Sequence, residues 1–165
     1  MLLHSLGNYF LTHLVVNGNN QYMNGLIFDN IIMNAAAVRS KEHGEVVSQI
    51  KMQENLYVIF NKNDRVLRGA HLLTSGKMLG NMAIKPLATG ATYIDFTPVA
   101  GKEHTFFAGY HQFEYDLPAF NHVFNTAFHG EKVDLSDPTM FSRKGSDPIW
   151  SVNNPLSDNK KGEPK

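Results

Sequence analysis

The chain has no cysteine, which excludes disulfide bridging and cysteine-ligated zinc and suits a reducing, cytoplasmic setting. It has no net charge, with fifteen Lys and Arg against fifteen Asp and Glu. A balance without blocks of one sign argues against nucleic acid or a polybasic membrane surface as partner. No apolar run reaches the length of a membrane span. The start lacks the basic n-region of a signal peptide, and His4 and Asn8 interrupt its apolar stretch. Eight histidines are present, but their spacings are scattered and no His-Glu-x-x-His pair occurs, so no metal site is expected. No Gly-x-Gly-x-x-Gly or P-loop follows an apolar run, so no nucleotide or other cofactor is expected. At 165 residues the length suits one domain with a sizeable core.

What is there begins at residue 1. Met1-Leu2-Leu3-His4 runs directly into Ser5-Leu6-Gly7-Asn8, and an amphipathic stripe of Leu6, Tyr9, Phe10, Leu14 and Val15 follows before the helix-stopping Asn17-Gly18-Asn19-Asn20. A strand turning at once into a helix puts Ser5 on a sharp corner, as in the nucleophile elbow Gly-x-Ser-x-Gly. Gly7 supplies one glycine of that pattern and is expected to let strand and helix pack closely; Leu3 stands where the other would be. The simpler reading of Ser5 is a helix N-cap.

Leu26 to Ala37 is nearly continuous in apolar character around Ile31-Ile32-Met33, as in a strand buried on both faces. A helix is expected after Ser40-Lys41-Glu42-His43, then a buried strand at Asn55-Leu56-Tyr57-Val58-Ile59-Phe60 and a polar loop through Asp64 and Arg65. A short helix fits within 71–82, and Ala91 to Thr97 reads as a fourth strand. A loop rich in glycine, histidine and aromatics follows, with Phe106, Phe107, Tyr110, Phe113 and Tyr115 as either pocket lining or core. Pro118 opens a last helix that Gly130 closes. From Glu131 to Lys165 the composition turns polar, as in a partly disordered tail pinned by Met140, Phe141, Ile149 and Trp150.

Strand and helix alternate four times, which predicts an α/β fold with a mostly parallel sheet and helices on both faces. Chemistry in such sheets gathers at the carboxyl ends of the strands. Those ends hold Ser5, residues 34–38, Asp64, and the loop with His104 and His111, a serine, an acid and a histidine in the chain order of one hydrolase architecture. Asp64 could equally be a turn residue, and Asp29 and Asp95 fall inside strands.

The elbow Leu-Leu-His-Ser-Leu-Gly-Asn, the strand and loop from Leu56 to Asp64, and the histidine loop before a final helix together resemble the C-terminal half of a serine α/β-hydrolase. The likeness is to a bacterial group carrying His-Ser-(Met/Leu)-Gly-Asn, and it covers residues 1–130. It implies a Ser5 nucleophile, a histidine base, an Asp64 that orients the base, and the Leu6 amide as oxyanion donor, acting on a small-molecule ester or related acyl substrate. His104, which resembles the histidine of the group's His-Ser-Tyr-Phe, is preferred slightly over His111, which has the customary spacing to the last helix. The same resemblance calls for strands ahead of the elbow, one bearing a second oxyanion donor. The chain therefore reads as a partial α/β-hydrolase fold, with weak activity and self-association through an uncovered sheet edge expected. The competing reading is a non-catalytic remnant or binding domain that keeps the fold.

Overall fold

The computed structural model describes residues 1–18, 28–74, 76–106 and 117–154, with the side chains of 71–74 left out. Six strands form one sheet in the order β1-β2-β3-β4-β6-β5. They are β1 (Leu2–His4), β2 (Asn30–Asn34), β3 (Asn55–Phe60), β4 (Ala91–Asp95), β5 (Phe141–Ser142) and β6 (Ile149–Val152). Neighbours from β1 through β4 to β6 run parallel, and only β5 is antiparallel, at the edge. The helices are α1 (Gly7–Val16), α2 (His43–Val47), α3 (Arg65–Thr74), α4 (Thr97–Ala100) and α5 (Pro118–Phe128).

The near-continuous apolar runs of β2 and β3 follow from burial on both faces, because successive side chains point to opposite sides. Ile32, Tyr57, Ile59 and Ile94 join a core with Phe96, Phe106 and the α5 residues Val123 and Ala127. Ile31, Met33, Leu56, Val58 and Phe60 face the other way, onto Leu11 and Val15 of α1 and Val47 of α2. The sheet is therefore sandwiched, with α5 on one face and α1 and α2 on the other. Phe106 stacks on Phe96 at 5.8 Å and is core; the remaining aromatics of its loop lie outside the described residues.

Two expectations are corrected. The helix placed within 71–82 instead spans Arg65–Thr74, starting directly after Asp64. It begins there because Asp64 caps it: Oδ1 accepts from the Leu67 amide at 3.0 Å, the usual job of an N-cap carboxylate. The segment from Glu131, read from composition as a tail, supplies β5 and β6 through Asn154, and Val133, Leu135, Phe141 and Val152 join the core. Dispersed apolar residues were enough because β6 is only half-buried at Ile149, Trp150 and Ser151, where it meets β4, and fully buried at Val152, opposite Phe141 of β5. Trp150 lies in β6, half-buried, with the Arg143 guanidinium 4.6 Å from its ring centre. Residues 155–165 lie outside the described set. Pro118 and Gly130 bound α5 as expected, Gly130 at a φ of 80° that suits glycine at a helix C-terminus. Among the described residues no helix is long and apolar enough to cross a membrane.

Candidate active site

The chain turns from β1 into α1 through Ser5 and Leu6, and Ser5 sits at a φ of 49°. Positive φ is uncommon for a residue other than glycine and is held only where surroundings enforce it. Here they do. The Ser5 amide donates to Asn34 O at 3.1 Å, and Ser5 O accepts from the Ala37 amide at 3.1 Å. Asn8, fully buried, points its Nδ2 back at Leu3 O, Ser5 O and Asn34 O at 3.1–3.2 Å. One amide thus ties the end of β1, the corner and the end of β2 together. Leu6 follows in helical conformation at the start of α1, where backbone N–H groups have no carbonyl four residues back to bond and carry the positive end of the helix dipole.

Gly7 is not what the corner depends on. A Cβ there would meet only Leu3 Cδ2, at 3.7 Å, an ordinary contact. The close approach lies elsewhere: a Cβ on Gly80 would fall 2.3 Å from Ala35 C and 2.5 Å from Ala36 N.

Asp64 follows β3 and is completely buried, and its Oδ2 lies 2.6 Å from His104 Nδ1. A carboxylate only accepts, so Nδ1 carries a proton, and in the neutral imidazole the lone pair is on Nε2. His104 Nε2 makes no hydrogen bond among the described residues, and its side chain is 13% exposed. Asn61 holds the histidine loop against the end of β3 by donating to Gly101 O and Glu103 O at 3.2 and 3.0 Å. Asn81 donates to Asn61 O and Asp64 O, each at 3.2 Å, fixing the backbone beneath the carboxylate. The turn between β4 and His104 uses Gly101 at a φ of 56°.

The two halves meet through His4. Its Nε2 donates to His104 O at 3.1 Å, and the two imidazoles pack edge to face with centroids 4.7 Å apart. The residue preceding Ser5 therefore touches the residue paired with Asp64. Of the four side chains singled out in the sequence, Asp64 and His104 are in direct contact and Ser5 adjoins them through His4. His111 lies outside the described residues.

Beside the corner an open groove of about 850 Å³ runs along α1, lined by Leu6, Tyr9, Val16, Ala37, Arg39 and Val46 among others. Leu6 and Val16 are 58% and 63% exposed. Among the described residues no group of three His, Asp or Glu side chains is placed to hold a metal ion.

Asn8, Asn61 and Asn81 are the supporting residues that sequence reading passes over. For Asn8 and Asn61 the signal was an asparagine inside the elbow or directly after a strand, where a buried side-chain amide can bond several carbonyls at once; Asn81, between α3 and β4, carries no such signal. Asn34 is also buried, and its side-chain amide finds no partner among the described residues. It pairs in register with His4.

The chain matches no protein-family model, no curated protein and no solved structure.

Proposed function

We propose that this protein is a serine hydrolase cleaving an ester or related acyl bond, with Ser5 as nucleophile, His104 as base and Asp64 orienting the base. The observation that carries this reading is the buried Asp64 carboxylate on Nδ1 of His104, which in its neutral form leaves Nε2 as acceptor, together with a serine held at positive φ on a strand-to-helix corner one residue beyond the His4 that packs on that histidine. Serine after β1, aspartate after β3 and histidine after β4, all in one parallel order, further support reading the sheet as the C-terminal part of an α/β-hydrolase fold.

In this mechanism His104 Nε2 takes the Ser5 proton as Oγ adds to the acyl carbonyl, and then returns it to the leaving group. Asp64 holds the tautomer and stabilises the imidazolium. The Leu6 amide, at the positive end of α1, receives the developing oxyanion. The groove that begins at Leu6 takes the apolar acyl side of the substrate. With one donor assigned to the oxyanion, turnover is expected to be slow, since each such donor is worth about 100- to 1,000-fold.

The test is hydrolysis of p-nitrophenyl acetate and butyrate by the wild type and Ser5→Ala. Slow turnover that disappears in Ser5→Ala is the expected result. Equal rates in the two would overturn the assignment and favour a non-catalytic domain of the same fold.

A further inference from the structure

A second cavity, of about 250 Å³, is lined by Lys62, Arg68, Lys77, Asn81 and Met82. The whole chain is neutral, yet three of these five side chains are cationic and none is a carboxylate. Among the described residues Lys62 is the only one with an ionic partner, donating to the buried Asp95 Oδ2 at 2.5 Å. Arg68 and Lys77 make no ion pair among the described residues. The contact made by Lys77 Nζ is Met82 Sδ at 3.7 Å, and a thioether is a weak acceptor.

Three cationic residues line one hollow, and among the described residues Asp95 is the one carboxylate that pairs with any of them. The hollow is also built rather than incidental. Asp95 holds Lys62 at its rim, with Oδ1 itself fixed by the Thr97 amide at 2.9 Å. Asn81, mostly buried, ties the wall to the loop carrying Asp64. A guanidinium with two ammonium groups is a donor set suited to a compact oxyanion such as phosphate, each contact being a charge-assisted hydrogen bond. The volume falls below the roughly 300–1,000 Å³ of pockets that enclose larger organic ligands.

We infer that Lys62, Arg68 and Lys77 form a binding site for a phosphate group, either free phosphate or the terminal group of a phosphate monoester. The site stands apart from the groove beside Ser5, and binding there does not require Ser5 or His104.

Isothermal titration with inorganic phosphate and with glycerol phosphate, on the full chain, tests this. The background is sodium chloride of matched ionic strength, because exposed charges are screened by salt. Saturable one-to-one binding is expected, with a melting temperature that rises with phosphate and not with chloride. Arg68→Ala and Lys77→Ala should each weaken binding by about tenfold or more, and Lys77→Glu should abolish it. Both positions are at the surface, so the variants should fold, which circular dichroism checks. Ser5→Ala should bind as the wild type does, whatever becomes of its esterase activity. Tighter binding of glycerol phosphate than of phosphate identifies a monoester as ligand, and equal or weaker binding identifies the free anion. No saturable binding of either, or binding unchanged in Lys77→Glu, would overturn the site.

Discussion

Two histidines in this molecule are held by hydrogen bonds inside the same α/β sandwich, and they are held differently. His43 is buried, with Nδ1 2.5 Å from Ser40 O and Nε2 2.9 Å from the Tyr93 hydroxyl. A carbonyl only accepts, so Nδ1 donates to it and Nε2 accepts from Tyr93, whose oxygen in turn accepts from the Ala88 amide at 2.8 Å. Every polar atom of that chain is used. Among the described residues His104 is tied at one nitrogen only, to a buried carboxylate, and its ring packs at a partly exposed edge against His4, the residue before Ser5. Burial with complete pairing makes a structural histidine. One anchored nitrogen and one unengaged nitrogen make a histidine that can move a proton.

The largest effects expected from this contrast are on activity. His104→Ala and Asp64→Asn should each lower kcat/KM for p-nitrophenyl esters by about 1,000-fold or more. Asn is chosen at 64 because its Oδ1 can still cap α3 through the Leu67 amide, so thermal stability should hardly change. Calorimetry alongside the kinetics reads both. His43→Leu should show the opposite pattern. Stability should drop by about 2–4 kcal/mol, from the hydroxyl left without its acceptor and the imperfect fit, while the folded fraction keeps its kcat. If the two histidines gave the same pattern, the distinction would fail.

Next in size is Gly80→Ala. The added methyl would meet the backbone of Ala35 and Ala36, and neither can move without disturbing the end of β2 that the Ser5 amide bonds. A loss of about 1–3 kcal/mol is expected in a denaturant titration. Gly7→Ala, nearer the serine and better matched to the elbow pattern, should change stability by no more than about 0.5 kcal/mol.

The smallest effect is on pH dependence. Burial holds His43 below the ordinary histidine value of 6.5, against the Ser40 carbonyl, which raises it. The unfolded chain therefore binds the proton more readily, and the stability His43 contributes is present above about pH 6.5 and lost as the pH falls below it. Burial also pushes the Tyr93 hydroxyl up from 10 to about 12, against the Ala88 amide, which lowers it. Stability from that group is complete below pH 10 and declines as the pH rises towards 12. Burial also holds the Met1 ammonium below its ordinary value of 8.0, so melting temperature should already begin to fall as the pH drops below about 8, and fall further below 6.5. In Tyr93→Phe the alkaline decline should shrink.

How much of this could be read from the chain varies with the physics of each part. The parallel strands of the centre were legible because burial on both faces writes an unbroken apolar run, and β3 came out at Asn55–Phe60 as expected. α3 was misplaced because its start is set by one carboxylate cap, and Val66 and Leu67 stand too close to a polar loop to look periodic. β6 was missed because strand residues at a sheet's far side can be half-buried and interrupted by serine. At the site, the order of serine, aspartate and histidine was visible. The choice of His104 as partner of Asp64 was legible only as a slight preference, since the contact depends on how Asn61 and Gly101 shape the loop. The role of Gly7 was overstated because a sequence pattern does not say how close two backbones come.

The most direct test of the account is intact-mass and peptide-level detection of a fluorophosphonate adduct. One adduct is predicted, on the peptide containing Ser5, absent from Ser5→Ala and sharply reduced in His104→Ala. Labelling elsewhere, or labelling of Ser5 at an undiminished rate without His104, would contradict it.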